Sequence, residues 1–105
     1  MALGMIECFG FVTSVVVADK GLKTADVELV AIDKNKPANA DKCVVPLVMV
    51  VKFEGSVSAV EMAVNAGRAE AEKRGMFIAS FIIPRQEEQL EWFAHLNALG
   101  KSSTI

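Results

Sequence analysis

Residues 55–84 read GSVSAVEMAVNAGRAEAEKRGMFIASFIIP, and this stretch decides the fold. Val57, Val60, Ala63 or Val64, Gly67 and Ala71 recur at three and four, while Glu61, Arg68, Glu70, Glu72 and Lys73 fill much of the other side. That spacing predicts an amphipathic helix with one buried face. Ser56 is placed to cap its start, and Gly75 to end it. Phe77 to Ile83 is then β-rich and is closed by Pro84, so a strand follows the helix directly.

Working outward, Val44 to Phe53 is a second β-rich run, with Pro46 confined to a strand start or edge because it has no N–H for the ladder. Residues 33–42 are polar, hold Pro37 and lack periodicity, so they read as a loop. Val27 to Ile32 is a strand after the turn-like Thr24-Ala25-Asp26. Phe11 to Leu22 carries Val12, Val15, Val16 and Leu22 near helical spacing between Gly10 and Gly21. Three successive valines favour a strand there, since β-branching costs a helix a few tenths of a kcal/mol each, about, but the bracketing glycines favour a helix. Leu3 to Phe9 is a short strand, and Gln86 to Leu99 a closing helix with Leu90, Phe93 and Leu96 or Asn97 inward. The order is strand, helix, strand, strand, helix, strand, helix. This is an α+β chain of split βαβ (ferredoxin-like) type, a four-stranded antiparallel sheet with helices on one face. One domain over residues 1–99 and a frayed tail over 100–105 are expected.

The chain has 105 residues, and hydrophobic residues make up 52% of them, with Ala and Val supplying 14 each. A chain of this size buries roughly 65% of its unfolded surface, so this much apolar content is hard to hide in a monomer and points to an oligomer. The formal net charge of −2 and the lack of a Lys/Arg run exclude a basic footprint for nucleic acid. Tyr is absent and Trp occurs once, which argues against an aromatic platform for single-stranded bases. The longest apolar stretch, Cys43 to Val51, is interrupted by Pro46 and is too short to span a membrane. No signal-peptide pattern opens the chain, so a cytosolic protein is expected, with Cys8 and Cys43 as thiols or metal ligands rather than a disulfide.

Catalytic motifs are missing: there is no phosphate-cradling glycine loop, no HExxH and no CxxC. The lone His95, beside Trp92, reads as a surface or partly packed residue, and Glu87 and Glu88 suit a helix start. An enzyme is disfavoured, and no catalytic residue is assigned.

Three segments together resemble the bacterial microcompartment shell-protein domain. They are Ala2-Leu3-Gly4-Met5-Ile6-Glu7 running on to Ala18-Asp19-Lys20, then Leu22-Lys23-Thr24-Ala25-Asp26-Val27-Glu28-Leu29, then Gly55-Ser56-Val57-Ser58-Ala59-Val60 through Gly67, closed by Ile83-Pro84-Arg85. The resemblance implies a structural protein of the bacterial microcompartment shell, within the cytoplasm. It implies cyclic homohexamers that tile edge to edge with other shell proteins, an axial pore for small metabolites, and encapsulated enzymes as further partners. Lys23 matches the family's edge lysine and Arg85 the arginine reaching across that edge. Asp26 stands where the family usually has Asn. Taken alone, Lys23 is equally a helix C-terminal cation and Arg85 a solvated strand end.

The family's pore loop is short and rich in Gly and Ser, whereas here it runs Lys36, Pro37, Ala38, Asn39, Ala40, Asp41, Lys42, Cys43, Val44, Val45, Pro46, with no Gly. A Cys between two prolines is similar to the shell proteins of glycyl-radical, propanediol-utilising microcompartments. That likeness implies an iron–sulfur cluster, of 4Fe-4S type, at the pore, held by Cys43 from several subunits. Cyclic symmetry can gather thiols that one chain cannot. Lys34, Lys36 and Lys42 against Asp33 and Asp41 leave each loop at +1, which favours the thiolate. A thiol at a strand start, or another metal or redox role, stays open for Cys43. Cys8, between Glu7 and Phe9, is expected to be a core or interface thiol. A trimeric, small-molecule-binding regulator of the same architecture is the alternative to a hexameric shell protein.

Overall fold

The computed structural model describes residues 1–35 and 47–96. The elements are β1 (Ala2–Phe9), α1 (Phe11–Thr24), β2 (Glu28–Asn35), β3 (Val48–Gly55), α2 (Val57–Lys73) and β4 (Phe77–Ile83), followed by a 3-10 turn (Glu88–Leu90) and the short α3 (Glu91–Ala94). The four strands are ordered β2-β3-β1-β4, and every neighbouring pair is antiparallel. The expected split βαβ sheet is therefore the observed one.

Strand alternation sorts the sheet into two faces. Ala2, Ile6 and Cys8 of β1 and Met49, Val51 and Phe53 of β3 turn to one side, where they meet Val17 and Ala18 of α1 and Val60, Ala63, Val64 and Ala71 of α2. The helices approach closely because small residues stand at the contacts. A Cβ on Gly67 would lie 2.6 Å from Ile6 Cδ1 and 3.0 Å from Val17 Cγ1. Ser56 caps α2 as expected, its hydroxyl accepting from the Ala59 N–H at 3.2 Å. Gly75 follows with φ +69, a left-handed turn that glycine adopts freely.

Several boundaries and faces differ from the expectation. β2 extends through Asp33, Lys34 and Asn35, because these pair with Val50, Met49 and Val48. β3 runs from Val48 to Gly55 rather than from Val44 to Phe53; Leu47 precedes it, and residues 44–46 lie outside the described residues. In α1 the buried residues are Ser14, Val17, Ala18 and Gly21, while Val12, Val15 and Leu22 face outward. The valine run is helical, and Val17 alone of the three belongs to the core; of the stripe read from the sequence, Val16 is half-buried and the others are exposed.

The closing helix is also shorter than expected. It turns inward through Ala94, not Leu90, and residues 97–99 are outside the described ones. Ala94 packs with Leu3, Val30, Met5 and Ile83, which belong to the sheet face opposite α1 and α2. The expectation that helices cover one face is thus corrected: α1 and α2 share a face, and the C-terminal segment crosses to the other. It does so because β4 ends beside the start of β1, Leu3 pairing with Ile83, and the backbone N–H of Gln86 then donates to the Met1 carbonyl at 3.1 Å.

Candidate functional site

Two sets of residues singled out in the sequence sit at the two ends of the sheet. The starts of β1 and β2 and the ends of β3 and β4 share one end: Ala2 pairs with Gly55, Glu28 with Glu54, and Leu3 with Ile83. Lys23 and Asp26 lie at this end, just before the edge strand β2, and Arg85 lies just after the opposite edge strand β4. All three are exposed. The structure thus brings them to one end of the sheet and separates them across its width.

Lys23 stands in the last turn of α1, where a cation suits the helix dipole. Its ammonium is 2.9 Å from the Asp19 carboxylate one turn earlier, and both side chains are largely solvated. The hydrogen bond and charge of Asp19 raise the Lys23 pKa, so the ammonium stays fully charged. Arg85 is exposed beyond Pro84.

At the other end, Phe9 closes β1, Phe77 opens β4, and Asn35 pairs with Val48 across the break between β2 and β3. The Gly10 N–H donates to the Leu47 carbonyl at 2.8 Å and the Phe9 N–H to the Met76 carbonyl at 2.9 Å. The expected pore-loop residues Lys36, Pro37, Asn39, Asp41, Lys42, Cys43, Val44 and Pro46 lie outside the described residues. The strand ends that flank them are at the end opposite Lys23, Asp26 and Arg85.

Cys8 is fully buried among core residues. Burial pushes its thiol up to about 11, so it is protonated across the neutral range. Among the described residues, no group of three or more His, Cys, Asp or Glu is arranged to hold a metal ion.

The sequence reading missed a charged cluster on the second sheet face. Lys52 and Glu54 of β3 are buried, the Lys52 side chain being 1% exposed. Lys52 Nζ donates to the Phe93 carbonyl at 2.7 Å and the Leu96 carbonyl at 3.2 Å, and stands 3.5 Å from Asp33 Oδ2. The same ammonium lies 3.9 Å from the centroid of the Phe93 ring. Desolvation lowers its pKa, against the opposing pull of the Asp33 carboxylate. Glu54 accepts from Gln86 Nε2, and its other oxygen is 3.3 Å from His95 Nε2. Lys52 and Glu54 share a face of β3 with Val48 and Val50, so the local sequence pattern does not single them out. Only the return of the C-terminal segment buries them, and that depends on contacts forty residues apart in sequence.

Comparison with known proteins assigns the class. The chain belongs to the BMC domain family, whose model matches residues 2–86. It is 32% identical over 104 residues to the bacterial microcompartment shell protein EutM of Escherichia coli K12, covering 99% of this chain and 98% of that protein. It is 36% identical over 91 residues to the shell protein EutK of Salmonella typhimurium, covering 87% of this chain and 50% of that one. Among solved structures, a microcompartment protein from Desulfitobacterium hafniense superposes with a TM-score of 0.70 at 34% identity, covering 85% of this chain and 46% of that longer one. Its place is therefore the shell of a bacterial microcompartment. No described helix is long and apolar enough to cross a membrane.

Proposed function

We propose that this chain is a non-enzymatic building block of the shell, forming cyclic homohexamers that tile edge to edge, with Cys43 supplying iron–sulfur ligands at the axial pore. The observation that carries the reading is the segregation of the sheet's two ends. The flanks of the loop 36–46 lie at one end, and Lys23, Asp26 and Arg85 at the other, as a ring needs if one end faces its axis and the other its rim. The outward apolar residues of α1, with Phe11 55% and Val12 73% exposed, offer surface that a subunit contact would bury. Within this assembly Lys23 offers a long apolar stem with a charged tip, and Arg85 a planar fork of donors. Asp26 adds an anion at the same rim and modulates contacts there.

Native mass measurement tests the ring: a hexamer supports it, and a trimer would favour a small-molecule-binding regulator instead. Lys23→Ala and Arg85→Ala are each expected to leave the hexamer intact and abolish extended flat sheets in electron micrographs. Sheets that persist in both variants would sink the rim assignment.

The cofactor part of the proposal concerns a 4Fe-4S cluster, which would supply electron transfer across the shell or cluster delivery to enclosed enzymes. Cys8 does not suit it, being enclosed in the core with a raised pKa. Cys43 remains as the chain's other cysteine. Lys36 and Lys42 beside it outweigh Asp41, which favours its thiolate and an anionic cluster. Pro37 and Pro46 restrict the backbone on either side, and Asn39 and Val44 complete the stretch at the pore. The pattern is that of glycyl-radical, propanediol-utilising compartments. Anaerobically purified protein is expected to carry iron and a visible charge-transfer absorbance, both lost in Cys43→Ser. Equal iron content in the variant would show that Cys43 is not a ligand.

A further inference from the structure

The segment after β4 is bound to the sheet in an unusual way. Most of its side chains point to solvent: Glu87, Glu88, Gln89, Leu90, Glu91 and Trp92 are all exposed, and Ala94 is its one fully buried residue. An apolar stripe therefore does not hold it. Its ordered pieces, a three-residue 3-10 turn and a four-residue helix, are far too short to persist alone.

What holds the segment is a pair of buried charges on β3. Lys52 reaches out of the sheet to the carbonyls of Phe93 and Leu96, which close the C-terminal end of α3. Its ammonium supplies a donor to the Leu96 carbonyl just past the helix and a second donor to the Phe93 carbonyl, which also accepts from the Leu96 N–H at 3.1 Å. Glu54 grips the segment at both ends, through Gln86 where it begins and His95 where it finishes. The Phe93 ring lies over the Lys52 ammonium.

Burying such groups is costly, and paired buried charges come close to breaking even against hydration. When the segment lifts away, water replaces the carbonyls, His95 and Gln86 as partners of Lys52 and Glu54, and Asp33 still faces Lys52. Opening exposes the small apolar cluster under Ala94, Leu3, Met5, Val30 and Ile83, but rehydrates the charges. It therefore costs less than exposing an apolar face as long as the whole segment. The sheet keeps its own core, which lies on the other face with α1 and α2.

We propose that residues 86–96 form a releasable strap, clasped by Lys52 and Glu54, that opens without unfolding the sheet. Release uncovers Leu3, Met5, Val30 and Ile83, the apolar residues that Ala94 now covers. The strap does not depend on the hexamer or the cluster proposed above; because Arg85 is also the proposed rim residue, the test is read on protein that has not assembled into sheets.

Trypsin gives a direct readout, because Arg85 is the residue at the hinge and the Arg85–Gln86 bond is held by the Gln86 N–H to Met1 carbonyl contact. Cleavage there reports the open population when closing is fast relative to cutting. Products are identified by mass. Lys52→Met is expected to speed this cut at least tenfold while the melting temperature of the protein stays within a few degrees, about, of the wild type. His95→Ala, a change on the strap that leaves the sheet intact, is expected to speed it at least threefold. Glu88→Gln, which touches no tie, is the control and is expected to leave the rate unchanged. Wild-type cleavage rates in both Lys52→Met and His95→Ala would overturn the proposal. So would an equal rise in cutting at Arg68 and Lys73 of α2 and at Arg74, its C-cap, since that would mean global unfolding. If Lys52→Met does not fold, His95→Ala decides alone.

Discussion

Phe53→Ala is expected to lower the unfolding free energy by about 3–5 kcal/mol, a large part of the about 5–15 kcal/mol that holds a domain together. Phe53 is fully buried in the centre of β3, and its ring projects end-on at α1. The chain makes room for it by omission. A Cβ on Gly21 would lie 2.5 Å from Phe53 Cζ, closer than carbon atoms approach, and a tight 3.1 Å from both Cε atoms. Glycine in this helix gives up about 0.8–1 kcal/mol of intrinsic helix stability relative to alanine. The ring it accommodates contributes several times that. The two positions therefore couple. Gly21→Ala alone is expected to be destabilising, since overpacking costs about 1–3 kcal/mol. In a Phe53→Leu background the ring tip is absent, and the same change should become neutral or stabilising by up to about 1 kcal/mol. Urea denaturation of the four proteins checks the cycle. Additive effects would mean that the helix shifts to admit the methyl group at no cost.

That coupling also marks what could be read in the sequence. The element order was legible because α2 repeats at three and four, and because β4 is bounded by Gly75 and Pro84. Four strands and two long helices in that order leave few sheet topologies open, and the observed one is the expected one. Face assignment was harder. In α1 the stripe Val12, Val15 and Leu22 reads as core, yet the core takes Ser14, Val17, Ala18 and Gly21. Hydrophobicity marks both a face against the sheet and a face against a neighbour, and spacing does not distinguish them. Small residues at contact positions are the better signal, because two helices crossing a sheet need close approach more than bulk. Lys52 and Glu54 were not singled out at all, because no local pattern marks them: their burial arrives from a segment far along the chain.

The site was legible only in part. Lys23, Asp26 and Arg85 are exposed and share one end of the sheet. Their placement on opposite edges could not be read from local pattern, because it depends on β1 and β3 pairing in the middle of the sheet. The residues 36–46 carry the chain's departure from the family's pore loop, and the register places their flanks, Asn35 and Val48, opposite one another at the far end.

The two cysteines are expected to differ in reactivity by orders of magnitude. Cys8 is enclosed by the core, and desolvation raises its pKa from the ordinary 9.0 to about 11. At pH 8 its thiolate population is then about a hundredfold smaller than that of a solvated thiol, and no reagent reaches it while β1 stays paired on both sides. Native protein from which any cluster has been stripped with chelator and reductant, treated with a thiol-specific disulfide reagent, should therefore titrate one thiol per chain quickly, and Cys43→Ser none. In denaturant the counts should rise to two and one. Rapid labelling of native Cys43→Ser would mean that β1 opens readily, which contradicts its central place in the sheet. Stability supplies a second readout with a definite sign. A folded-state pKa above the unfolded value means that the native state holds its proton longer. The stabilising contribution is complete below about pH 9 and is lost as pH rises through about 11. Cys8→Ala lacks this titration. Whatever it costs in packing, its deficit relative to the wild type should shrink between pH 9 and 11, while the contributions of lysines common to both proteins cancel in the difference. A deficit that stays constant across that window would mean that Cys8 is not held protonated by the core.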